Sequence, residues 1–285
     1  MKNKICLITG ATSGIGKETA LSLAALQAQV IIHGRNKKKL ENTKAEIISK
    51  TGNTQTFTFQ ADMESLQEVK QMAYQIAEQF PRIDVLINNA GGIMNKERAL
   101  TEEGFEKTFA INHLAPFALT GLLLEKLRNS TQARVINLSS TAHKYAQPDF
   151  NDIMMEKNYN AVIAYGNAKL YTLLFTKEMH RRLRRHGIDH IATYAVHPGV
   201  VKTGFALESN SVMKLLFTLG RPFLLTPEQG AQTNIFLATA PDINKLSGEY
   251  FAKKKPASVK KTYCTQENAN KLWDISEKLT NVKWL

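Results

Sequence analysis

Cysteine is scarce in this chain of 285 residues, which contains only Cys6 and Cys264. Two cysteines cannot build the disulfide framework of a small secreted protein, and they offer no metal-ligand spacing. The seven histidines show no such spacing either, so we expect no metal site. This cysteine usage makes the cytoplasm the expected compartment, with Cys6 buried as a small apolar residue in a strand.

Long apolar runs are missing as well. The run over residues 115–124 is too short to cross a bilayer, and the run over residues 212–225 is interrupted by Lys214 and Arg221. The sequence opens with Met-Lys-Asn-Lys directly before an apolar strand, so a signal peptide is not expected. We therefore predict no transmembrane segment, while peripheral contact with a membrane stays open.

The sequence also lacks internal repeats and low-complexity linkers. Short, nearly continuous apolar runs alternate instead with segments of helical apolar spacing, which is typical of helices covering both faces of a parallel sheet. We predict a single α/β domain over residues 1–285 with a doubly wound parallel sheet. The predicted strands are residues 4–9, 29–33, 54–60, 83–88, 134–139, 190–197 and 249–252. The predicted helices are residues 15–27, 37–50, 64–80, 101–128, 161–186, 226–239 and 268–279.

Acidic residues are too few to balance the basic ones, and the formal charge is +12. Such an excess makes nucleic acid and anionic membrane surfaces candidate partners. Part of the charge is clustered, at Arg181, Arg182, Arg184 and Arg185, at Lys253, Lys254 and Lys255, and at Lys260 and Lys261. The arginines fall in the last turn of a predicted helix, where positive charge suits the helix dipole. We therefore expect no nucleic-acid partner.

A glycine-rich loop joins the first predicted strand to the first helix. It reads Thr-Gly-Ala-Thr-Ser-Gly-Ile-Gly over residues 9–16, with glycines at Gly10, Gly14 and Gly16. Glycine permits a tight turn and a close approach of the backbone to a pyrophosphate. The helix N-terminus adds free N–H groups and a positive dipole end. In this position the loop predicts a dinucleotide site.

The second predicted strand is followed by Arg35, where a fold that binds NAD carries an acidic residue. An arginine suits the additional 2′-phosphate of NADP, and Lys17 adds positive charge nearby. The alternative is that Arg35 is a solvated loop residue. We predict NADP(H) as the preferred cofactor, with NAD(H) as the alternative.

Tyr165 and Lys169 are four residues apart in a predicted helix and therefore lie on one face. A phenol has an ordinary pKa of about 10, and a neighbouring ammonium group is expected to lower that pKa. Such a pair can exchange a proton with an alcohol or carbonyl oxygen if a cofactor carries the hydride. The same spacing also occurs in helices without any catalytic role. The spacing alone therefore does not identify a catalytic pair, and the other motifs of the chain are needed to support one.

These motifs follow one another in the order of a known family. The glycine loop is followed by Asp62, then Asn88, Asn89, Ala90 and Gly91, then Asn112, Ser140, Tyr165 with Lys169, and Pro198 and Gly199 with Thr203. The sequence resembles the short-chain dehydrogenases/reductases over nearly its whole length. That resemblance implies a Rossmann-type fold and an NAD(P)-dependent oxidoreductase acting on CH–OH groups. Residues 139–143, 194–199 and 272–274 resemble the retinol-dehydrogenase-like members.

The resemblance implies roles for four catalytic residues. Tyr165 would be the general acid in reduction and the general base in oxidation. Lys169 would lower the pKa of Tyr165 and bind the nicotinamide ribose. Ser140 would hydrogen-bond the substrate oxygen, and Asn112 would hold a water that links Lys169 to solvent. The residues implied in cofactor binding are Gly10, Ser13, Gly14, Ile15, Gly16, Arg35, Asn36, Asp62, Met63, Asn89, Ala90, Gly91, Tyr165, Lys169, Pro198, Gly199, Val200 and Thr203.

Three segments fall outside the alternation: residues 141–160, 204–225 and the C-terminal extension 252–285. Residues 204–225 are expected to form a lid over a small alcohol or carbonyl substrate, and their apolar side chains indicate a hydrophobic one. Residues 141–160 make a long gap before Tyr165 and are expected to help select the substrate. A non-catalytic NADP-binding sensor or scaffold on the same fold is the alternative function. A homodimer is left open.

Overall fold

Eight short strands form one sheet in the computed structural model, which describes residues 1–92, 96–201 and 224–285. The strands are β1 (Ile5–Ile8), β2 (Gln29–Gly34), β3 (Thr56–Gln60), β4 (Val85–Asn88), β5 (Ala133–Leu138), β6 (Ile191–His197), β7 (Tyr250–Ala252) and β8 (Lys255–Pro256). Their order across the sheet is β3-β2-β1-β4-β5-β6-β7-β8. Every neighbouring pair from β3 to β7 is parallel.

The inner strands are buried because helices cover both faces of the sheet. Consecutive residues of β1 point to opposite sides, so Leu7 belongs to one hydrophobic core and Ile8 to the other. The adjacent strand β4 divides in the same way, with Leu86 in the first core and Ile87 in the second. The predicted doubly wound parallel sheet is therefore confirmed.

The helices of the described ranges begin and end close to the predicted positions, with one exception. They are α1 (Gly14–Ala25), α2 (Lys37–Thr51), α3 (Leu66–Gln79), α4 (Lys107–Phe109), α5 (Ala115–Leu122), α6 (Leu124–Arg128), α7 (Ala161–Arg185), α8 (Pro227–Thr239) and α9 (Gln266–Thr280). Polar caps set several N-termini. Asn36, Ser65 and Asn160 accept backbone N–H groups at the starts of α2, α3 and α7, and Thr226 forms a capping box at α8.

The exception is the predicted long helix over residues 101–128. It begins only at Lys107, where the Glu106 carboxylate accepts the N–H groups of Thr108 and Phe109. A π turn at Ala110–Leu114 and a break at Leu123 then divide it into α4, α5 and α6. Glu103 does not start this helix either, because its carboxylate accepts the N–H groups of Leu66 and Gln67 at the start of α3.

The sheet ends in an antiparallel hairpin that the sequence did not predict. Strand β8 pairs with β7 through a turn in which Lys253 and Lys254 have φ values of 51° and 63°. Two consecutive residues with positive φ are typical of a tight hairpin turn. Asparagine, aspartate and glycine are the usual residues at these positions, so a pair of lysines did not predict the turn.

The C-terminal helix α9 lies against α7 and is held by aromatic packing. Trp273 and Trp284 pack on each other, with ring centroids 4.9 Å apart, and both contact Phe117 of α5. The two tryptophans therefore anchor the extension to the body of the fold. Arg181 and Arg182 bind the fully buried Glu178 on the same helix, so part of the arginine cluster is neutralised within the fold.

Chain order reverses between β1 and β4, which lie side by side at the middle of the sheet although β2 and β3 separate them in sequence. In open α/β sheets ligands bind at the carboxyl ends of the strands at such a reversal. The loops that follow β1, β4, β5 and β6 all emerge at this edge. No helix within the described ranges is long and apolar enough to span a bilayer.

Candidate active site

The glycine loop after β1 lies against the turn after β4. Gly10 has a φ of +63°, and a Cβ atom at this position would come within 2.9 Å of the Cα atom of Ala90. A Cβ atom on Gly16 would lie 2.4 Å from both the Gly10 carbonyl oxygen and the Asn89 side-chain nitrogen. Side chains at these positions would therefore block the crevice, which explains the glycines.

The first helix offers its N-terminus to this crevice. Ser13 is exposed and extended, and its side chain does not cap α1. The first turn of α1 contains no acidic residue, and it includes Gly14 and Ile15. Because the N-terminal N–H groups of a helix carry positive partial charge, this end suits a phosphate.

The turn after β4 is fixed by hydrogen bonds to the glycine loop. The Thr9 hydroxyl accepts the N–H groups of Asn89 and Ala90, both at 3.0 Å. The Asn89 amide donates to the carbonyl oxygens of Thr9 at 2.8 Å and Gly10 at 3.1 Å. The side chain of Asn89 thus holds two loops together, and Ala90 and Gly91 line the crevice by their backbone.

His33 is a site residue that the sequence reasoning missed. Its Nδ1 accepts the N–H of Gly10 at 3.2 Å, so its Nε2 carries the proton that is donated to the Ala61 carbonyl oxygen at 3.0 Å. Burial lowers the pKa of His33, which keeps the ring neutral as this arrangement requires. The ring therefore ties the loops after β1 and β3 to the end of β2.

The resemblance places the adenosine of the cofactor at the end of the crevice beside β2, where exposed polar residues follow the strand. Arg35 and Asn36 are exposed after β2, and Asn36 caps α2 through the N–H of Lys39 at 2.9 Å. Lys17 contributes less charge than expected, because its Nζ lies 3.1 Å from a carboxylate oxygen of Glu46.

Asp62 and Met63 follow β3 on the other side of this end. One carboxylate oxygen of Asp62 accepts the N–H of Glu64 at 3.0 Å, and Met63 is buried in the core. Asp62 is half-buried and borders the crevice, while the side chain of Met63 packs inward.

Asn112 occupies the π turn, and its side chain is fully engaged. Its amide donates to the carbonyl oxygens of Gly92 and Thr108, each at 2.8 Å, and its Oδ1 accepts the Gly92 N–H at 2.9 Å. The expectation that Asn112 holds a water therefore cannot rest on its amide group. Pro116 lacks the N–H that would bond the Asn112 carbonyl oxygen in an α-helix, so this main-chain oxygen lacks its ordinary helical donor.

A small cavity lies beside this turn. Its volume is about 10 Å³, enough for roughly one water molecule. The residues that line it are Asn88, Ala90, Asn112, His113, Pro116, Asn137, Leu138, Thr172 and Phe175. The Oδ1 atom of Asn88 is buried and has no hydrogen-bond partner in the described part of the chain. A polar cavity of this size fits one bound water.

Tyr165, Ser140 and Lys169 come together at the N-terminal part of α7. The Tyr165 and Ser140 hydroxyls share a hydrogen bond, and the Lys169 Nζ lies 5.3 Å from the centroid of the Tyr165 ring. Lys169 is 5% exposed, and its Nζ donates to the Leu138 carbonyl oxygen at 2.9 Å. A Cβ atom on Gly91 would lie 3.4 Å from this Nζ and 2.5 Å from the Asn112 Oδ1, so Gly91, Asn112 and Lys169 border one space.

The pKa values of this pair differ from the expectation. Burial raises the pKa of Tyr165 to about 12, and the hydrogen bond with Ser140 offsets only part of that effect. Burial lowers the pKa of Lys169 to about 7. The expected lowering of the Tyr165 pKa by Lys169 is not seen in this structure, where desolvation is the main cause of the shift and the Lys169 ammonium group donates to the Leu138 carbonyl oxygen.

The two adjacent serines point in different directions, as strand alternation predicts. Ser139 is buried and donates to the Lys169 carbonyl oxygen at 2.8 Å, which fixes α7 against β5. Ser140 faces Tyr165 and caps a 3₁₀ turn at Thr141–Tyr145. His143 is buried in that turn and bonds the Ser140 carbonyl oxygen at 2.7 Å through its Nδ1. His143 therefore positions Ser140, and its burial leaves it little access to a substrate.

The loop after β6 closes the site on its far side. Gly199 has a φ of +89°, and Val200 is exposed beside Pro198. Thr203, predicted as a cofactor contact, lies outside the described residues, and so does the predicted lid except for its last two residues. Of these, Leu225 donates its N–H to the Val200 carbonyl oxygen at 2.9 Å.

Residues 141–160 form a wall that packs on the core before α7 begins. Phe150, Ile153 and Met154 pack against the larger hydrophobic core, and Asn167 accepts the Gln147 N–H at 2.7 Å. The long gap before Tyr165 is thus packed against the body of the fold, and its role in selecting a substrate stays a prediction. Within the described ranges, the His, Cys, Asp and Glu side chains form no cluster suited to a metal ion.

Comparison with known proteins gives consistent relationships. Residues 4–214 match the sequence model of a family described as short chain dehydrogenase. Retinol dehydrogenase 12 of Mus musculus is 40% identical over 281 residues, covering 99% of this chain and 87% of the mouse protein. Retinol dehydrogenase 11 of Homo sapiens is 38% identical over 276 residues, covering 97% of this chain and 85% of the human protein.

Solved structures show the same fold. A protein from Mycobacterium paratuberculosis, described as uncharacterized, has a TM-score of 0.79 and 29% identity, covering 100% of this chain and 96% of that one. A short chain dehydrogenase from Pseudomonas syringae has a TM-score of 0.70 and 25% identity, covering 87% of this chain and 94% of that one.

Proposed function

The chain belongs to the short-chain dehydrogenase family, in its retinol-dehydrogenase-like subgroup, and we propose that it uses NADP(H) to interconvert a hydrophobic alcohol and its aldehyde or ketone, with Tyr165 as the proton donor and acceptor. Membership of this subgroup makes it an oxidoreductase acting on CH–OH groups with a nicotinamide dinucleotide cofactor. Our proposal concerns three further points: which cofactor is preferred, which class of substrate is used, and what role each residue has.

One observation carries the proposed chemistry. The hydrogen-bonded Tyr165 and Ser140 hydroxyls stand at the carboxyl edge of the sheet, beside a crevice that Gly10 and Gly16 keep open. A carbonyl oxygen that meets both hydroxyls receives one hydrogen bond from Ser140 and a proton from Tyr165. A nicotinamide bound in the crevice supplies the hydride.

The pKa of Tyr165 favours the reductive direction. With a pKa of about 12 the phenol holds its proton at neutral pH, which suits a general acid acting on a carbonyl oxygen. Oxidation of an alcohol requires the phenolate as base, and burial disfavours that form. The residues of this chain therefore support reduction as the easier reaction near neutral pH.

Lys169 and Asn112 provide a route by which Tyr165 regains its proton. A pKa of about 7 lets Lys169 gain or lose a proton near neutral pH. The main-chain oxygen of Asn112 and the cavity beside it can hold a water, and Leu138, whose carbonyl oxygen accepts the Lys169 ammonium group, also lines that cavity. We therefore assign the water-holding role to the backbone of Asn112 and a positioning role to its amide.

The exposed guanidinium of Arg35 supports NADP(H) over NAD(H). It follows β2 where an acidic residue would bind the ribose hydroxyls of NAD, and it offers the charge that a 2′-phosphate needs. A cytoplasmic location and a homodimer through the helices of Asn112 and Tyr165 stay proposals from the sequence.

Apolar surface beside Tyr165 supports a hydrophobic substrate. Tyr145 in the 3₁₀ turn before α7, Val162 in the first turn of α7 and Val200 after β6 are among the most exposed large apolar side chains of the described residues. The relatives are named retinol dehydrogenases, so long-chain and retinoid aldehydes are the first substrates to test. The test is a panel of aldehydes, ketones and alcohols, in which turnover with each cofactor is measured by the change in nicotinamide absorbance. Turnover of long apolar aldehydes with NADPH supports the proposal, whereas no turnover of any member contradicts it.

A further inference from the structure

Six exposed lysines border the carboxyl edge of the sheet on the side of β7 and β8. We call this group the basic rim. It consists of Lys144, Lys253, Lys254, Lys255, Lys260 and Lys261, all of them exposed. The first lies in the 3₁₀ turn after Ser140, and the others belong to the hairpin turn and the extension that follows it.

Several contacts bring these distant parts of the sequence together. The Lys260 Nζ donates to the Lys144 carbonyl oxygen at 3.0 Å, and the Lys260 N–H points to the His143 Nε2 at 3.5 Å. The His143 ring packs edge-on against Tyr250 of β7, with centroids 5.3 Å apart. Ala252, which precedes the hairpin turn, pairs in register with His197 at the carboxyl end of β6. The lysines therefore share one edge of the molecule.

The charge of the basic rim is not balanced inside the fold. None of its six ammonium groups takes part in an ion pair within the described ranges. The arginine cluster of α7 differs, since Arg181 and Arg182 bind Glu178, and Arg184 binds Asp189. Uncompensated positive charge on an exposed edge attracts an anionic partner.

The basic rim adjoins the opening of the proposed active site. Lys144 and Tyr145 occupy the 3₁₀ turn that Ser140 caps. Tyr145 is 68% exposed, which places an amphipathic aromatic ring beside the lysines. Lysines flanking an exposed tyrosine form the combination that suits a membrane interface, where the ring enters the headgroup region and the ammonium groups meet lipid phosphates.

We propose that the basic rim docks on an anionic lipid bilayer and brings the opening next to Tyr165 against the membrane. The charged residues of the rim are all lysines, whereas arginine is the residue favoured for bidentate recognition of nucleic-acid phosphates. Docking in this orientation lets a hydrophobic substrate pass from the bilayer to the active site without crossing water. Only the passage of substrate from the bilayer to the active site rests on the proposed function, because docking on the membrane does not require turnover.

The test compares two variants of the full chain that carry the same change in charge. The rim variant is Lys144→Glu, Lys255→Glu and Lys261→Glu. The control variant is Lys2→Glu, Lys278→Glu and Lys283→Glu, which replaces exposed lysines elsewhere on the surface. Binding is measured by co-sedimentation with vesicles of phosphatidylcholine alone or enriched in phosphatidylserine, and cofactor binding without vesicles checks that each variant is folded.

We expect the unchanged protein to bind the phosphatidylserine vesicles and to release them at high salt. The rim variant should bind about 100-fold more weakly, from roughly fivefold per lysine, while the control variant loses much less. Equal losses in both variants, or no binding by the unchanged protein, overturn the proposal. Tighter binding to a duplex oligonucleotide than to the vesicles, lost in the same rim variant, would overturn it in favour of nucleic acid.

The orientation is tested separately with tryptophan substitutions. In Tyr145→Trp the new indole should be quenched by vesicles whose lipids carry brominated acyl chains. In Tyr74→Trp, at a tyrosine of α3 that is 61% exposed, the new indole should stay unquenched. Equal quenching at both positions, or none at residue 145, contradicts docking through the basic rim. These readouts are independent of turnover, so their failure leaves the role of Tyr165 untouched.

Discussion

The ammonium nitrogen of Lys169 donates to the carbonyl oxygen of Leu138 at 2.9 Å and lies 5.3 Å from the centroid of the Tyr165 ring. Lys169 is consequently a buried cation held by a neutral acceptor, and its pKa falls to about 7. The lysine is thus poised to titrate near neutral pH, and Tyr165, with a pKa of about 12, keeps its proton.

The pKa of Lys169 predicts a pH-dependent stability. Between about pH 7 and the ordinary lysine pKa, the unfolded chain binds this proton and the folded chain does not, so the free energy of unfolding rises with pH over that window. Lys169→Met should remove up to about 1.4 kcal/mol per pH unit of that rise. Chemical denaturation between about pH 7 and pH 9 measures it. The exposed Lys278→Met is the control, and an unchanged slope in Lys169→Met would show that the buried lysine does not titrate in this range.

Gly91→Ala should disturb the site by crowding. Its new Cβ would lie 2.5 Å from the Asn112 Oδ1, so the amide that holds Gly92 must move. We expect a loss of more than about 2 kcal/mol in the free energy of unfolding and weaker NADPH binding. Gly52→Ala is the matched control, because it has a positive φ of +68° but open space around the Cβ. That control should cost about 1 kcal/mol from backbone strain alone and leave NADPH binding intact. Equal effects of the two variants would rule out crowding.

Arg35→Glu should weaken NADPH binding about 10- to 100-fold, since a charge-assisted bond to the 2′-phosphate is replaced by repulsion. NADH binding should change little. Fluorescence titration with both cofactors gives the ratio, and Arg128→Glu, at the end of α6, provides a control with the same change in charge. If NADH binds the unchanged protein as tightly as NADPH, the cofactor preference inferred from Arg35 is wrong.

Glu178→Gln should weaken the attachment of the C-terminal extension to α7. The carboxylate of Glu178 is fully buried and binds Arg181, Arg182 and the Gln266 amide of α9. Removing its charge weakens the hydrogen bonds of two guanidinium groups, which keep contacts with Asn270 and Asp274, and we expect a loss of about 1.5–3 kcal/mol in the free energy of unfolding. Glu125→Gln, which breaks an exposed pair with Arg128, should cost less than about 1 kcal/mol. A similar, small loss in both variants would mean that Glu178 is not a structural anchor.

The sheet and the glycine loop could be predicted because their physical causes are local. Buried parallel strands read as continuous apolar runs, and Gly10 and Gly16 stand where any Cβ would collide with the neighbouring backbone or side chain. The spacing of Tyr165 and Lys169 likewise follows from the helix period alone.

Other features depend on contacts between residues far apart in sequence. His33 reads as an ordinary strand residue, and only the fold brings its ring to Gly10 and Ala61. The apolar spacing of residues 101–128 continues through the π turn, although Pro116 four residues after Asn112 was a signal that the α-helix is interrupted there. The direction of the Lys169 side chain was inaccessible, since the Leu138 carbonyl that it binds belongs to another element.

The central claim is that Tyr165 transfers the proton, and the most direct measurement is the turnover of Tyr165→Phe with NADPH and an active aldehyde, alongside its affinity for NADPH. Tyr171→Phe, which removes a buried hydroxyl from the same helix, is the control. The account predicts that Tyr165→Phe loses at least about 1,000-fold in kcat, within the range of general acid catalysis, and keeps its NADPH affinity, while Tyr171→Phe stays active. A Tyr165→Phe protein that turns over at a near-normal rate would contradict it.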